Sequence, residues 1–150
     1  MTQASLFGMP GGGSAVASID GGSRGNPGPA AYGVRIERED GSIVELKEAF
    51  GIATNNVAEY RGLLAALTWA ITHGIERLRV RSDSLLLVKQ MRGEYRVKHP
   101  GLQPLWTEAR NLLRQVREVQ FEHVRRELNA EADRLANEAM DETAAPARHS

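Results

Sequence analysis

The stretch Ser18–Gly33, SIDGGSRGNPGPAAYG, constrains this chain more than any other. Between Asp20 and Ala30 it carries four glycines and two prolines, so no helix can run through it. Residues with strand character flank it, AVASID on one side and AAYGV on the other. It reads as a stiff, tight connection between two strands, with one acid, Asp20, at the end of the first. Glycine allows close backbone approach and unusual φ, and proline limits the freedom of the turn.

The remaining elements follow from periodicity. Residues 15–20 predict a short buried strand. Residues 31–39 alternate Tyr32, Val34 and Ile36 with polar neighbours, as a strand with one wet face does. Asp40-Gly41 signals a hairpin, and residues 42–50 (SIVELKEAF) predict an edge strand. Tyr60, Leu63, Leu64, Leu67 and Ile71 then keep helical spacing over 56–73, with Gly74 as the stop. A strand over 77–83 places Leu78 and Val80 on one face and Arg77, Arg79 and Arg81 on the other. A short helix starts at Ser84. After a break at Pro100-Gly101, a further helix shows the apolar face Leu102, Leu105, Trp106, Ala109, Leu112, Leu113, Val116. That face assigns Trp106 to the core. A strand over 119–124 precedes a last helix, opened by Asn129 and carrying Ala132, Leu135, Ala136, Ala139 and Met140. The order βββαβααβα, a meander followed by alternating helices and strands, implies an α/β fold: a mixed sheet with helices on its faces.

Composition excludes several classes. At 150 residues the chain is one domain long, and it contains no cysteine, so no disulfide framework or thiolate chemistry is available. No apolar run reaches the ~18 residues of a membrane span. The formal net charge is zero, so a polyanionic partner must be held by local patches or through metal ions. The Gly/Ala/Ser-rich residues 1–14 and the stretch 143–150 are expected to be flexible tails around a domain at 15–142. They carry no signal-peptide pattern, and a cytoplasmic monomer is expected.

Four acids fall near element ends: Asp20 and Asp83 at strand ends, Glu59 and Asp133 in first helical turns. In open α/β sheets, sites gather at the carboxyl ends of strands. Clustered carboxylates repel one another unless a cation joins them, and oxygen donors suit Mg²⁺ or Mn²⁺ better than zinc. Each acid also has a plain structural role open to it. Asn56-x-x-Glu59 has the form of a capping box. Asp83 can cap the next helix. Asp20 can initiate a turn. Asp133 suits the helix dipole.

Taken together, these segments resemble type 1 ribonuclease H. DGGSRGNPGPAAYG resembles the family's first motif, TNNVAE (54–59) its T-N-N-x-x-E motif, SDS (82–84) its strand-to-helix Asp-Ser, and ELNAEADRLANEA (127–139) its N-x-x-A-D-x-L-A motif. The resemblance covers roughly residues 15–142. It implies a five-stranded mixed sheet of order 3-2-1-4-5. It also implies an endonuclease that cuts the RNA strand of RNA/DNA hybrids, leaving a 5′-phosphate and a 3′-hydroxyl. Asp20, Glu59, Asp83 and Asp133 would hold two Mg²⁺ ions, with Mn²⁺ able to substitute. Asp20 would bridge, Asp133 would serve the ion that activates water, and Glu59 and Asp83 would serve the ion facing the leaving oxygen. By the same resemblance Gly21, Gly22, Asn26, Thr54, Asn55, Asn56 and Ser84 are substrate contacts. Asn and Ser side chains can reach the 2′-hydroxyls that distinguish RNA from DNA. Asn56 can equally serve only as a helix cap.

The chain departs from many family members in two places. The connection before the last helix, RRELNAE, is short and lacks the loop histidine; His123 falls earlier, inside the predicted strand. Arg126 is the nearest candidate for a phosphate-facing role, its plain alternative being a surface arginine. The basic protrusion is reduced to RGEYRVKHPGLQPLW, in which Arg92, Arg96, Lys98, His99 and Tyr95 could form a smaller patch. These features resemble a bacterial and archaeal subgroup in which some members also cut RNA/RNA duplexes. Two other classes remain. One is a catalytically weak hybrid-binding module of the same fold. The other is a Mg²⁺ phosphatase, which the glycine at position 22, where a second aspartate is usual, disfavours. A dinucleotide site is excluded, because Gly22, Gly25 and Gly28 do not make G-x-G-x-x-G.

Overall fold

The structure is a computed structural model that describes residues 13–144. The expected tails, 1–14 and 143–150, therefore lie largely outside the described residues. Five strands form one sheet in the order β3-β2-β1-β4-β5. They are β1 (Ser14–Ser23), β2 (Gly28–Arg38), β3 (Ile43–Ala53), β4 (Arg77–Ser82) and β5 (Glu118–His123). The first three pair antiparallel; β4 joins β1 in parallel, and β5 joins β4 in parallel. The helices are α1 (Asn55–Thr72), α2 (Leu85–Met91), α3 (Gln103–Leu113) and α4 (Ala130–Ala144). This is the expected order, with one addition: a 3-10 turn at Arg126–Leu128.

The two faces of the sheet are covered differently. Ala15, Ala17, Ile19, Val34, Ile36, Leu78 and Val80 pack against Tyr60, Leu63 and Leu67 of α1 to form the main core. Trp106 is partly buried against this core, as its place on the apolar face of α3 predicts. α4 covers the opposite face, where Ala31, Ala139 and Met140 make a smaller cluster. Among the described residues, no helix is long and apolar enough to cross a membrane.

The glycine-rich stretch is longer in strand than the sequence predicts. β1 runs past Asp20 to Ser23 and β2 begins at Gly28, so the true turn is only Arg24–Pro27. Asp20 therefore lies within the strand, paired with Gly33. Close packing explains the glycines that lie within these strands. A Cβ on Gly21 would overlap the backbone of Ala58 and Glu59 in α1. A Cβ on Gly33 would overlap the carbonyl of Ala132 and lie 2.6 Å from the amide of Ala136 in α4. Both helices sit directly on the sheet backbone, one on each side, next to Asp20.

Helix starts differ as well. Thr54 caps α1, its hydroxyl accepting from the Val57 amide at 3.2 Å. Asn56 is therefore not the cap, and Glu59 stands beyond the first turn, free of any capping-box role. Ser84 caps α2 through the Leu87 amide at 3.2 Å, which relieves Asp83 of that duty.

Candidate active site

β1 and β4 bring the first two acids together. Ile19 pairs with Ser82 as the last rung of their parallel ladder, so Asp20 and Asp83 follow side by side. α1 lies on Gly21 and carries Glu59 to the same point. One carboxylate oxygen from each of Asp20, Glu59 and Asp83 lies within 4.8 Å of the other two. Asp133 arrives from the first turn of α4 and faces the same cleft as Asp20, near enough to raise its pKa. It is the exposed member of the four, and it stands outside the tight trio.

These acids line a cleft of about 310 Å³ together with Gly21, Gly22, Asn55 and Arg126. A larger cavity, about 870 Å³ beside β3 and α1, contains none of the four acids. The clustered acids therefore belong to the smaller one.

Electrostatics shows the tension in this arrangement. Burial first, then the charge of Asp83 and the nearby Asp133 carboxyl, push the Asp20 carboxyl up to about 8. Burial likewise lifts Glu59 to about 7, and Asp83 adds to it; a hydrogen bond from Ser84 and the charge of Arg126 pull the other way. Like charges crowded in a poorly solvated cleft favour protonation or a cation. The donor set is oxygen only, with no histidine or cysteine beside it, which fits a hard divalent ion.

The remaining predicted contacts divide into two groups. Gly22 lies open to the cleft, its nearest neighbour for an added Cβ being Asn55 Oδ1 at 3.7 Å. Arg126 is 89% exposed at its side chain, with Nε 4.0 Å from Asp83 Oδ2. Asn26, Thr54, Asn56 and Ser84 do not line the cleft. Asn26 Oδ1 accepts from the Asn55 amide at 3.0 Å, and Asn55 Oδ1 accepts from the Ser23 amide at 2.8 Å. These two bonds brace the hairpin tip on the start of α1. Ser84 acts on Glu59, as described above, and Asn56 is exposed.

Two features of the site were not anticipated. Arg24 lines the cleft and is held by Asp141 at 2.7 Å, and Asn137 of α4 lines it as well. Arg24 sits inside the quoted motif, but only the return of α4 across the sheet reveals its partner. In the reduced basic segment, Arg92 donates to the Phe121 carbonyl at 2.6 Å, so it is tied to the sheet edge.

A family model described as Reverse transcriptase-like matches residues 18–139. The bifunctional protein Rv2228c of Mycobacterium tuberculosis is 52% identical over 131 residues, which is 86% of this chain but 36% of that protein. The chain thus spans about a third of that relative's length. The crystal structure of RNase H1 from the halophilic archaeon Halobacterium salinarum is 44% identical, with a TM-score of 0.83, covering 87% of this chain and 99% of that one. LC11-RNase H1, solved in complex with an RNA/DNA hybrid, is 40% identical with a TM-score of 0.81, covering 86% and 98%.

Proposed function

The chain belongs to the type 1 ribonuclease H family, and we propose that it hydrolyses the RNA strand of RNA/DNA hybrids as a metal-dependent endonuclease. The observation that carries this reading is the trio Asp20, Glu59 and Asp83, gathered from three elements to within 4.8 Å, with Asp133 beside it. Four acids converging on one partly buried cleft repel one another, and a cation would offset that repulsion. They fit two divalent cations, Mg²⁺ or Mn²⁺, held by Asp20, Glu59, Asp83 and Asp133. Paired ions of this kind stabilise the attacking and leaving oxygens of an in-line phosphoryl displacement.

The chain's own groups supply the rest. Water adds to phosphorus as the P–O3′ bond breaks, leaving a 5′-phosphate and a 3′-hydroxyl. Ser84 orients Glu59, and Arg126 offers an exposed cation at the cleft to a neighbouring phosphate. The backbone of Gly21 and Gly22, with Asn55, forms the wall against which the RNA strand lies. The side-chain N–H group of Asn55, which lines the cleft, remains as a donor toward 2′-hydroxyls, its oxygen being engaged within the protein and the start of α1 being braced by Asn26. The short RRELNAE connection without a histidine, and the reduced basic segment, support a place in the subgroup of broader duplex specificity.

The test is a labelled RNA strand annealed to DNA, incubated with Mg²⁺, with EDTA, and with the Asp83→Asn protein. RNA/RNA duplex and free RNA run beside it. Hybrid cleavage that needs both the metal and Asp83 is the expected result, and the RNA/RNA lane sets the breadth. Folded protein that retains the hybrid in a gel shift yet never cuts it would replace this reading with a binding module.

A further inference from the structure

The last helix begins at a residue whose side chain faces inward. Asn129 is 2% exposed, one of three buried polar or charged residues among those described. Its Nδ2 donates to the carbonyl of Ile19 at 2.8 Å, bridging 110 positions of sequence. Its backbone N–H donates to the Arg126 carbonyl at 2.9 Å, and its own carbonyl accepts from the Asp133 amide at 3.1 Å. One residue thus joins the strand just before Asp20, the turn that bears Arg126, and the helical turn that bears Asp133.

The location matters. Ile19 stands on the last rung that β1 shares with β4, so β1 continues beyond it without that neighbour. There the helix docks instead, with Gly33 letting α4 rest on the backbone of β2. Gly33 governs how close α4 approaches, whereas the Asn129 bond fixes where its first turn stops along β1. Asp133 is the acid most exposed to error in that placement, because it is outside the trio built by β1, β4 and α1. Asn129 also retains a buried Oδ1 with no hydrogen-bond partner among the described residues. An orphaned acceptor of this kind lowers stability and calls for a reason beyond folding.

We propose that Asn129 is a positioning residue, whose side-chain bond to Ile19 sets Asp133 against Asp20. This rests on the nuclease reading given above. The helix has other anchors, since Lys47 bridges Glu138 and Glu142 and Arg134 reaches Glu45 on β3. Removing the Asn129 bond therefore leaves α4 docked but misplaced.

Asn129→Ala, the isosteric Asn129→Asp and, as a control, Ile36→Val are to be compared with the wild-type protein. Ile36 is a fully buried core residue paired with Ala17, well down the strand from Asp20. The readouts are kcat and KM on a hybrid, melting temperature, and Mn²⁺ binding to substrate-free protein by calorimetry. Both Asn129 variants should lose ~10–100-fold in kcat and in Mn²⁺ affinity with KM unchanged, as residues that orient metal ligands do. Ile36→Val should lower the melting temperature only. The proposal is overturned if the Asn129 variants change only the melting temperature, if KM alone moves, if wild-type protein binds no Mn²⁺, or if neither variant folds. Absence of hybrid cleavage by wild-type protein would defeat the nuclease reading instead, while the calorimetry still decides the role of Asn129.

Discussion

Asp20 and Asp83 stand one residue beyond the pair Ile19–Ser82, so a parallel ladder ends by presenting two carboxylates side by side. α1 adds Glu59 from the side of the core and α4 adds Asp133 from the other face. The protein therefore folds around a charge conflict at the place where its chemistry is expected.

That conflict predicts an unusual pH dependence without metal. Asp20 titrates at about 8 and Glu59 at about 7 in the folded protein, against ordinary values of 3.8 and 4.5. Between those limits the folded state keeps protons that the unfolded state has released, so these groups make stability fall as pH rises. In EDTA the melting temperature should decline from about pH 5 to pH 8. Mg²⁺ should restore it, and more strongly at the upper end, because the ion competes with protons. Thermal melts with and without Mg²⁺ read this directly; a metal-free melting temperature that rises across the range contradicts it.

Asp20→Asn should separate stability from function. Replacing the buried, repelled carboxyl by a neutral amide removes the largest source of the conflict. At pH 8 in EDTA the variant should melt higher than wild type. Its hybrid cleavage should fall by more than ~100-fold, since a metal-holding group is lost. A variant that melts lower in EDTA would show that Asp20 makes stabilising contacts instead.

Gly21 and Gly22 should behave in opposite ways. A Cβ on Gly21 meets the backbone of α1, which cannot yield as a side chain would, so Gly21→Ala should cost ~3 kcal/mol in denaturant titration. A Cβ on Gly22 meets nothing closer than 3.7 Å, so Gly22→Ala should fold like wild type. It narrows the wall of the cleft, and KM for the hybrid should rise while the melting temperature holds.

Arg126→Ala should leave the fold intact, because its side chain is 89% exposed. Binding to a hybrid should weaken, and the slope of log K against log salt should shrink by ~1, as loss of one phosphate contact requires. An unchanged salt slope would make Arg126 an ordinary surface arginine. Fluorescence anisotropy over a salt series with the Asp83→Asn protein as background reads the slope without cleavage.

Much of this protein is legible without its structure. Hydrophobic spacing in 56–73 and 77–83 marks α1 and β4 to within a residue, because each repeats a local geometry that neighbours in sequence share. The four acids stand out for the same reason, each tied to a motif. The errors fall where distant contacts decide. Gly21 and Gly33 read as turn or neutral strand residues, yet each is required by a helix that arrives from elsewhere in the chain. The cap of α1 is the exception, a local choice: Thr54 rather than Asn56 takes it, because its hydroxyl reaches the amide three residues on.

The sequence by itself determined the elements, their order and the identity of the acids, since periodicity and side-chain chemistry are local properties. Only the tertiary structure decided which acids meet, how deeply they are buried and what holds them. Strand pairing at Ile19–Ser82 sets Asp20 beside Asp83, while the bare backbone of Gly33 and the Asn129 bond to Ile19 bring α4 and its Asp133 to the same place. Each of those is a contact between residues far apart in sequence, and no local pattern encodes the register in which they close.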